Sequence, residues 1–126
     1  MVKLAHLLLV STAVLAGCAG APIEHREPYK TVVVEKPARE VYESLKAFPY
    51  CDSGWEADGV YDAYDNSFKV EYSFGGFFGP SYPSDSIVGR SAGETSTELR
   101  LTSMEKWRTP ISEKFLNRLQ TGKCDG

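Results

Sequence analysis

The stretch Ser67-Phe68-Lys69-Val70-Glu71-Tyr72-Ser73-Phe74 decides the fold. Phe68, Val70, Tyr72 and Phe74 alternate with Ser67, Lys69, Glu71 and Ser73, and a period of two sends alternate side chains to opposite faces of a strand. One face must be buried and the other wet, as in an antiparallel sheet covered on one side. Upstream, Asp65-Asn66 supplies a turn, so Glu56 to Tyr64 reads as the first arm of a hairpin. Downstream, Ser86 to Arg90 and Thr95 to Ser103 read as a second hairpin turning near Ala92-Gly93, with Thr97, Leu99 and Leu101 on one face of its second arm.

The flanks supply the remaining elements. Thr31-Val32-Val33-Val34 is a β-branched run between Pro28 and Pro37, and it predicts a strand over Tyr29 to Glu35. Ala38, Val41, Leu45 and Phe48 recur at helical spacing opposite Arg39, Glu40, Glu43 and Lys46. They predict an amphipathic helix over 37–48 with Pro37 in its first turn and Pro49 as its stop. Thr109-Pro110 opens a final helix, threonine as N-cap and proline as first helical residue; Ile111, Phe115, Leu116 and Leu119 form its stripe, and Gly122 ends it. The expected class is α+β in the order β-α-β-β-β-β-α, an antiparallel sheet of about five strands with two helices on one face. Trp55 reads as an early strand anchor and Trp107 as a plug at the mouth of the final helix.

Composition narrows the function. The chain has 126 residues and a net charge of −3, and its basic residues are scattered among acids, so no basic stripe invites nucleic acid. After the N-terminal leader described below, one histidine remains, His25, so no imidazole is at hand in the domain to activate a serine or cysteine. We expect no enzyme activity, no cofactor and no metal. Asp52, Glu56, Asp58, Asp62 and Asp65 crowd one region, but their spacing does not follow a calcium loop, and they read as solvated strand and turn positions.

Residues 1–17 have the parts of an export signal: Lys3, an apolar run from Leu4 to Val14, then small residues. The run is too short to span a bilayer. It closes on Leu15-Ala16-Gly17-Cys18, which resembles the lipobox of bacterial lipoproteins. That resemblance implies cleavage before Cys18, a diacylglycerol thioether on its sulfur and an acyl chain (palmitate-like) on its amine. It also implies a site in the cell envelope, with Ala19 after the cysteine pointing to the periplasmic side of the outer membrane. A competing cut after Ala19-Gly20-Ala21 would leave Pro22 first, a poor fit to an extended substrate. Lipidation also leaves Cys51 and Cys124 as an even pair, which we expect to form a disulfide between the two helix ends. Such a closed loop adds about 4 kcal/mol in the chain-entropy model. The expected organisation is a signal peptide at 1–17, a lipidated tether at 18–28 and one domain at 29–126.

The segment Val32-Val33-Val34-Glu35-Lys36-Pro37-Ala38-Arg39-Glu40-Val41-Tyr42 resembles the entry to helix-grip domains, in which a strand leads through proline into a helix. That resemblance implies a curved sheet gripping a C-terminal helix, sometimes around an apolar ligand. This chain has a shorter first helix and fewer strands than that superfamily. Eleven of the fifteen aromatic residues fall between Phe48 and Tyr82, and Gly75-Gly76-Phe77-Phe78-Gly79 sets two rings among glycines. Phe77, Phe78 and Tyr82 are thus candidate binding residues, read either as core lids or as an exposed patch for an envelope protein partner. The function expected is a membrane-anchored, non-enzymatic accessory or protein-interaction module; the alternative is a carrier of a small apolar or lipidic ligand between sheet and helices.

Overall fold

The computed structural model describes residue 23 and residues 26–51, 54–75, 83–104 and 110–122. Within them run β1 (Lys30–Val34), α1 (Ala38–Ala47), a 3-10 turn (Phe48–Cys51), β2 (Trp55–Asp62), β3 (Ser67–Phe74), β4 (Asp85–Gly93), β5 (Ser96–Ser103) and α2 (Ile111–Thr121). The order is the expected one. All strands pair antiparallel in a single sheet, β1-β5-β4-β3-β2. Consecutive hairpins build β2 to β5, and α1 carries the chain from the β1 edge to the β2 edge across the inner face. Asn66 takes the left-handed conformation (φ 54°) that the Asp65-Asn66 turn needs.

Both helices cover the face that carries Phe68, Val70 and Tyr72. Those side chains, with Ile87, Leu99 and Leu101 from β4 and β5, are buried against Val41 and Leu45 of α1 and Phe115, Leu116 and Leu119 of α2. Two glycines let this packing close. A Cβ on Gly89 would lie 2.2 Å from the Phe68 ring, and one on Gly59 would lie 2.9 Å from the Tyr42 ring, so each aromatic lies directly on backbone.

The helix starts differ from expectation by one position. Pro37 (ψ 146°) and Pro110 (ψ 148°) are extended, so each is the N-cap and not the first helical residue. Thr109, the expected cap, lies outside the described residues. Proline offers no side-chain acceptor, and the exposed amides of α2 find one elsewhere. Asp85, fully buried at the start of β4, accepts the Ser112 N–H at 3.0 Å and the Ser112 hydroxyl at 2.6 Å through Oδ2. Ser84 and Ser103 donate their hydroxyls to Oδ1 at 3.0 and 3.2 Å.

Side chains from the sheet and from α2 likewise tie the end of α1. The Tyr72 hydroxyl donates to the Leu45 carbonyl at 2.8 Å, and Arg118 Nη1 donates to the Phe48 carbonyl at 3.3 Å. Thr97 Oγ1 donates to the Lys36 carbonyl at 2.7 Å, fixing the entry to α1. Gly122 closes α2 in the left-handed conformation, its N–H bonded to the Arg118 carbonyl. Within the stretch read as a tether, Ile23 is buried. No helix among the described residues is long and apolar enough to cross a membrane.

Asp85→Ala should lower stability by about 3 kcal/mol, because it strands buried donors at the head of α2. A urea titration followed by circular dichroism checks this; a midpoint within error of the parent would show that Asp85 does not hold the helix.

Candidate functional site

The inward row of β3 runs out from under the helices at its last residue. Phe74 continues the Phe68, Val70, Tyr72 row yet is 58% exposed. It stands opposite Trp55, the first residue of β2, with ring centroids 5.4 Å apart at 74°, an edge-to-face pair. Gly54 seats this pair: its backbone has φ 90°, and a Cβ there would lie 2.8 Å from the Phe74 ring. Beside the pair, an open groove of about 480 Å³ runs between Glu43, Lys46 and Ala47 at the end of α1 and Trp55, Glu56 and Ala57 of β2, with Pro49 at its end. Ala57, Ala47 and the indole make its floor apolar, and Glu43, Glu56 and Lys46 make its rim charged.

Of the residues singled out from sequence, Trp55, Glu56 and Cys51 lie at this end of the sheet, and Asp62 and Asp65 lie at the opposite end of the hairpin. Phe77, Phe78 and Tyr82 lie outside the described residues, between Gly75 and Pro83, in the connection that leaves β3 directly after Phe74. Cys18, Cys124, Asp52 and Trp107 also lie outside them. Cys51 closes the turn after α1 and is half-buried. Trp55 does begin a strand, as read. Glu43 and Lys46 were legible as the polar side of α1, but nothing local indicates that they overhang an edge strand.

Glu56, Asp58 and Asp62 point outward from β2 at exposed alternate positions. Asp62 accepts the Tyr64 N–H at 2.9 Å, and Asp65 accepts the Ser67 N–H at 3.1 Å and its hydroxyl at 2.6 Å, so these two serve the hairpin turn. Among the described residues no group of three histidine, cysteine or acidic side chains comes together as a metal site. Elsewhere on the outer face acids and bases pair, as in Lys69–Glu71, Arg90–Glu98 and Arg100–Glu98 at 3.1 to 3.2 Å.

The Asp85 cluster is the other polar constellation. Ser112 uses its only hydroxyl proton on Asp85, so the Tyr29 hydroxyl, 2.6 Å away, donates to the Ser112 oxygen. Lys30 pairs with Glu113 alongside. A serine bonded directly to a carboxylate, both fully buried, has no base between them and no access for a substrate, so the arrangement caps a helix. Burial pushes the Tyr29 phenol up to about 12, aided by the charges of Glu113 and Asp85 and only partly offset by its bond to Ser112. Burial and then Asp85 push the Tyr72 phenol well above the usual tyrosine range.

No protein-family model, curated protein or solved structure matches the chain. The case for function therefore rests on its own residues.

The raised phenols give a signed pH dependence. A group held at about 12 when folded, against 10.0 when unfolded, contributes stability that is whole below pH 10 and lost as pH climbs through 12. Stability should fall across that window, and Tyr29→Phe should soften the fall. Alkaline titration of tyrosinate absorbance alongside circular dichroism checks it; a flat profile to pH 12 would contradict the assignment.

Proposed function

We propose that the chain is a lipid-anchored protein of the bacterial cell envelope, held on the periplasmic side of the outer membrane through Cys18. Its domain acts there as a non-enzymatic accessory module that contacts another envelope protein. The lipobox-like Leu15-Ala16-Gly17-Cys18 supports the anchor. One buried acyl methylene adds about 0.8 kcal/mol, so two or three chains make such attachment firm. The observation that carries the interaction role is the Trp55–Phe74 pair: a large ring 58% exposed on an ordered strand, beside an open groove and continuous with the segment bearing Phe77, Phe78 and Tyr82. Exposed aromatic surface on a rigid element is what binding hot spots are made of.

A carrier role has less support. The space between sheet and helices is filled by Leu45, Tyr72, Ile87, Leu99, Phe115 and Leu119, and the groove is open at the sheet edge. We further propose that Cys51 pairs with Cys124. Cys51 closes the turn after α1, and the Arg118–Phe48 hydrogen bond and the Phe48–Phe115 ring contact at 6.3 Å draw α2 to the end of α1, which supports this pairing.

Three measurements test this reading. Labelled fatty acid should enter the parent and not Cys18→Ser, which should leave the membrane fraction; equal labelling would remove the anchor. Denatured, unreduced protein from the host envelope should show no free thiol at Cys51 or Cys124. A photo-cross-linking phenylalanine analogue at Phe74 should form a protein adduct in cells that one at Tyr64, at the far end of the hairpin and 98% exposed, does not form. Equal adducts at the two positions would refute a specific surface.

A further inference from the structure

The edge strand β2 has properties that the groove alone does not explain. Among the described residues it pairs only with β3, leaving one row of N–H and C=O groups open along Trp55–Asp62. Its inward side chains Trp55, Ala57 and Tyr61 are only partly covered by α1. Its outward positions are Glu56, Asp58, Val60 and Asp62, all exposed, and among the described residues Glu56 and Asp58 form no ion pair. The nearest base across the ladder, Lys69, is engaged by Glu71 at 3.1 Å.

An open edge invites another strand, and the charges decide which one. A second copy does not fit. Every antiparallel self-pairing that keeps the inner faces together over five or more residues of β2 sets acid against acid: Glu56 on Asp58 about Ala57, Asp58 on itself, Glu56 on Asp62 about Gly59, or Asp58 on Asp62 about Val60. Like charges directly opposed are destabilising. A strand with basic side chains at alternate positions reverses the sign of each contact.

We propose that β2 accepts an extended segment of a protein partner as a sixth, antiparallel strand. Its basic side chains lie opposite Glu56, Asp58 and Asp62, and an apolar side chain enters the groove beside Ala57 and Trp55. This rests on the reading of the domain as an interaction module and names the chemistry its partner presents. Small residues face Gly59, where the Tyr42 ring already lies against the backbone, and an aliphatic residue faces Val60, which is 67% exposed.

The probe is the labelled peptide Lys-Thr-Val-Thr-Lys-Val-Lys, whose lysines meet Asp62, Asp58 and Glu56 in that register. Its control is Lys-Lys-Lys-Thr-Val-Thr-Val, of equal charge but without alternation. Fluorescence anisotropy with the full chain should show the alternating peptide binding about tenfold tighter, with the preference reduced by salt. The double variant Glu56→Lys, Asp58→Lys should lose about tenfold in affinity and recover it toward a peptide with glutamate in place of lysine. Both positions are exposed, and circular dichroism verifies that the variant keeps the fold.

Amide exchange should slow in β2 and not in β1 when the peptide is bound. Equal affinity for the two peptides, undiminished binding to the reversed variant, or protection of β1 instead would overturn the proposal. So would full protection of the free β2 amides before any peptide is added, since a segment of this chain would then already hold the edge. If no peptide binds while the Phe74 adduct persists, strand addition fails and the interaction surface stands. If the adduct is lost as well, the broader reading fails with it.

Discussion

The carboxylate of Asp85 holds the architecture together. It sits at the first residue of β4, fully buried, and meets the head of α2, where Pro110 supplies no side-chain acceptor of its own. A negative charge there answers the unpaired amides and the positive end of the helix dipole together. With the head of α2 fixed to the sheet by Ser112, the stripe Phe115, Leu116, Leu119 falls onto Ile87, Leu99 and Leu101. Arg118 then reaches the Phe48 carbonyl and Tyr72 reaches the Leu45 carbonyl, so α1 is tied at its end by groups that α2 and β3 present. The head of α2 that Pro110 leaves bare, and the end of α1, are each completed by a side chain distant in sequence.

This way of closing the core has a consequence for the surface. Packing the inner face fully beneath two short helices leaves the sheet longer than its cover. Phe74 and Trp55 mark where the cover stops, and the groove between α1 and β2 is the gap between a ten-residue helix and the strand edge beneath it. The exposed rings are therefore a product of element lengths and not of a fault in packing. They face each other across the β2–β3 ladder, which gives them the rigidity that a contact surface needs.

Much of this was readable from local pattern. Ser67–Phe74 formed the strand its alternation requires, and the helical stripes Val41–Leu45 and Phe115–Leu119 faced the core because their periodicity leaves no other side apolar. What periodicity could not deliver was any partner far along the chain. Asp85 falls just ahead of the strand read from Ser86 and carries no local signal, because its value comes from Ser112, which folding alone brings near. Pro37 and Pro110 have the φ of a first helical residue, but their ψ depends on how the preceding strand or loop delivers the chain. Phe74 obeys the alternation and is still exposed, since alternation tells which face a residue is on and not how far the covering helix extends.

The acidic row on β2 can be weighed in the same terms. Three carboxylates on one exposed edge contribute little to folding, because surface charges in water are weakly coupled and here they repel. Their effect is on encounters. An open edge of eight residues, with Trp55 and its β3 partner Phe74 at one end, would be prone to pair with its own copies, and proteins gathered on a membrane as proposed would meet often. Acid opposite acid makes that pairing unfavourable in each register that keeps the inner faces aligned over five or more residues. The same charges leave the backbone donors and acceptors uncovered, so the edge stays competent toward a strand of opposite sign. A proline or a bulge would have blocked both outcomes, whereas charge separates them.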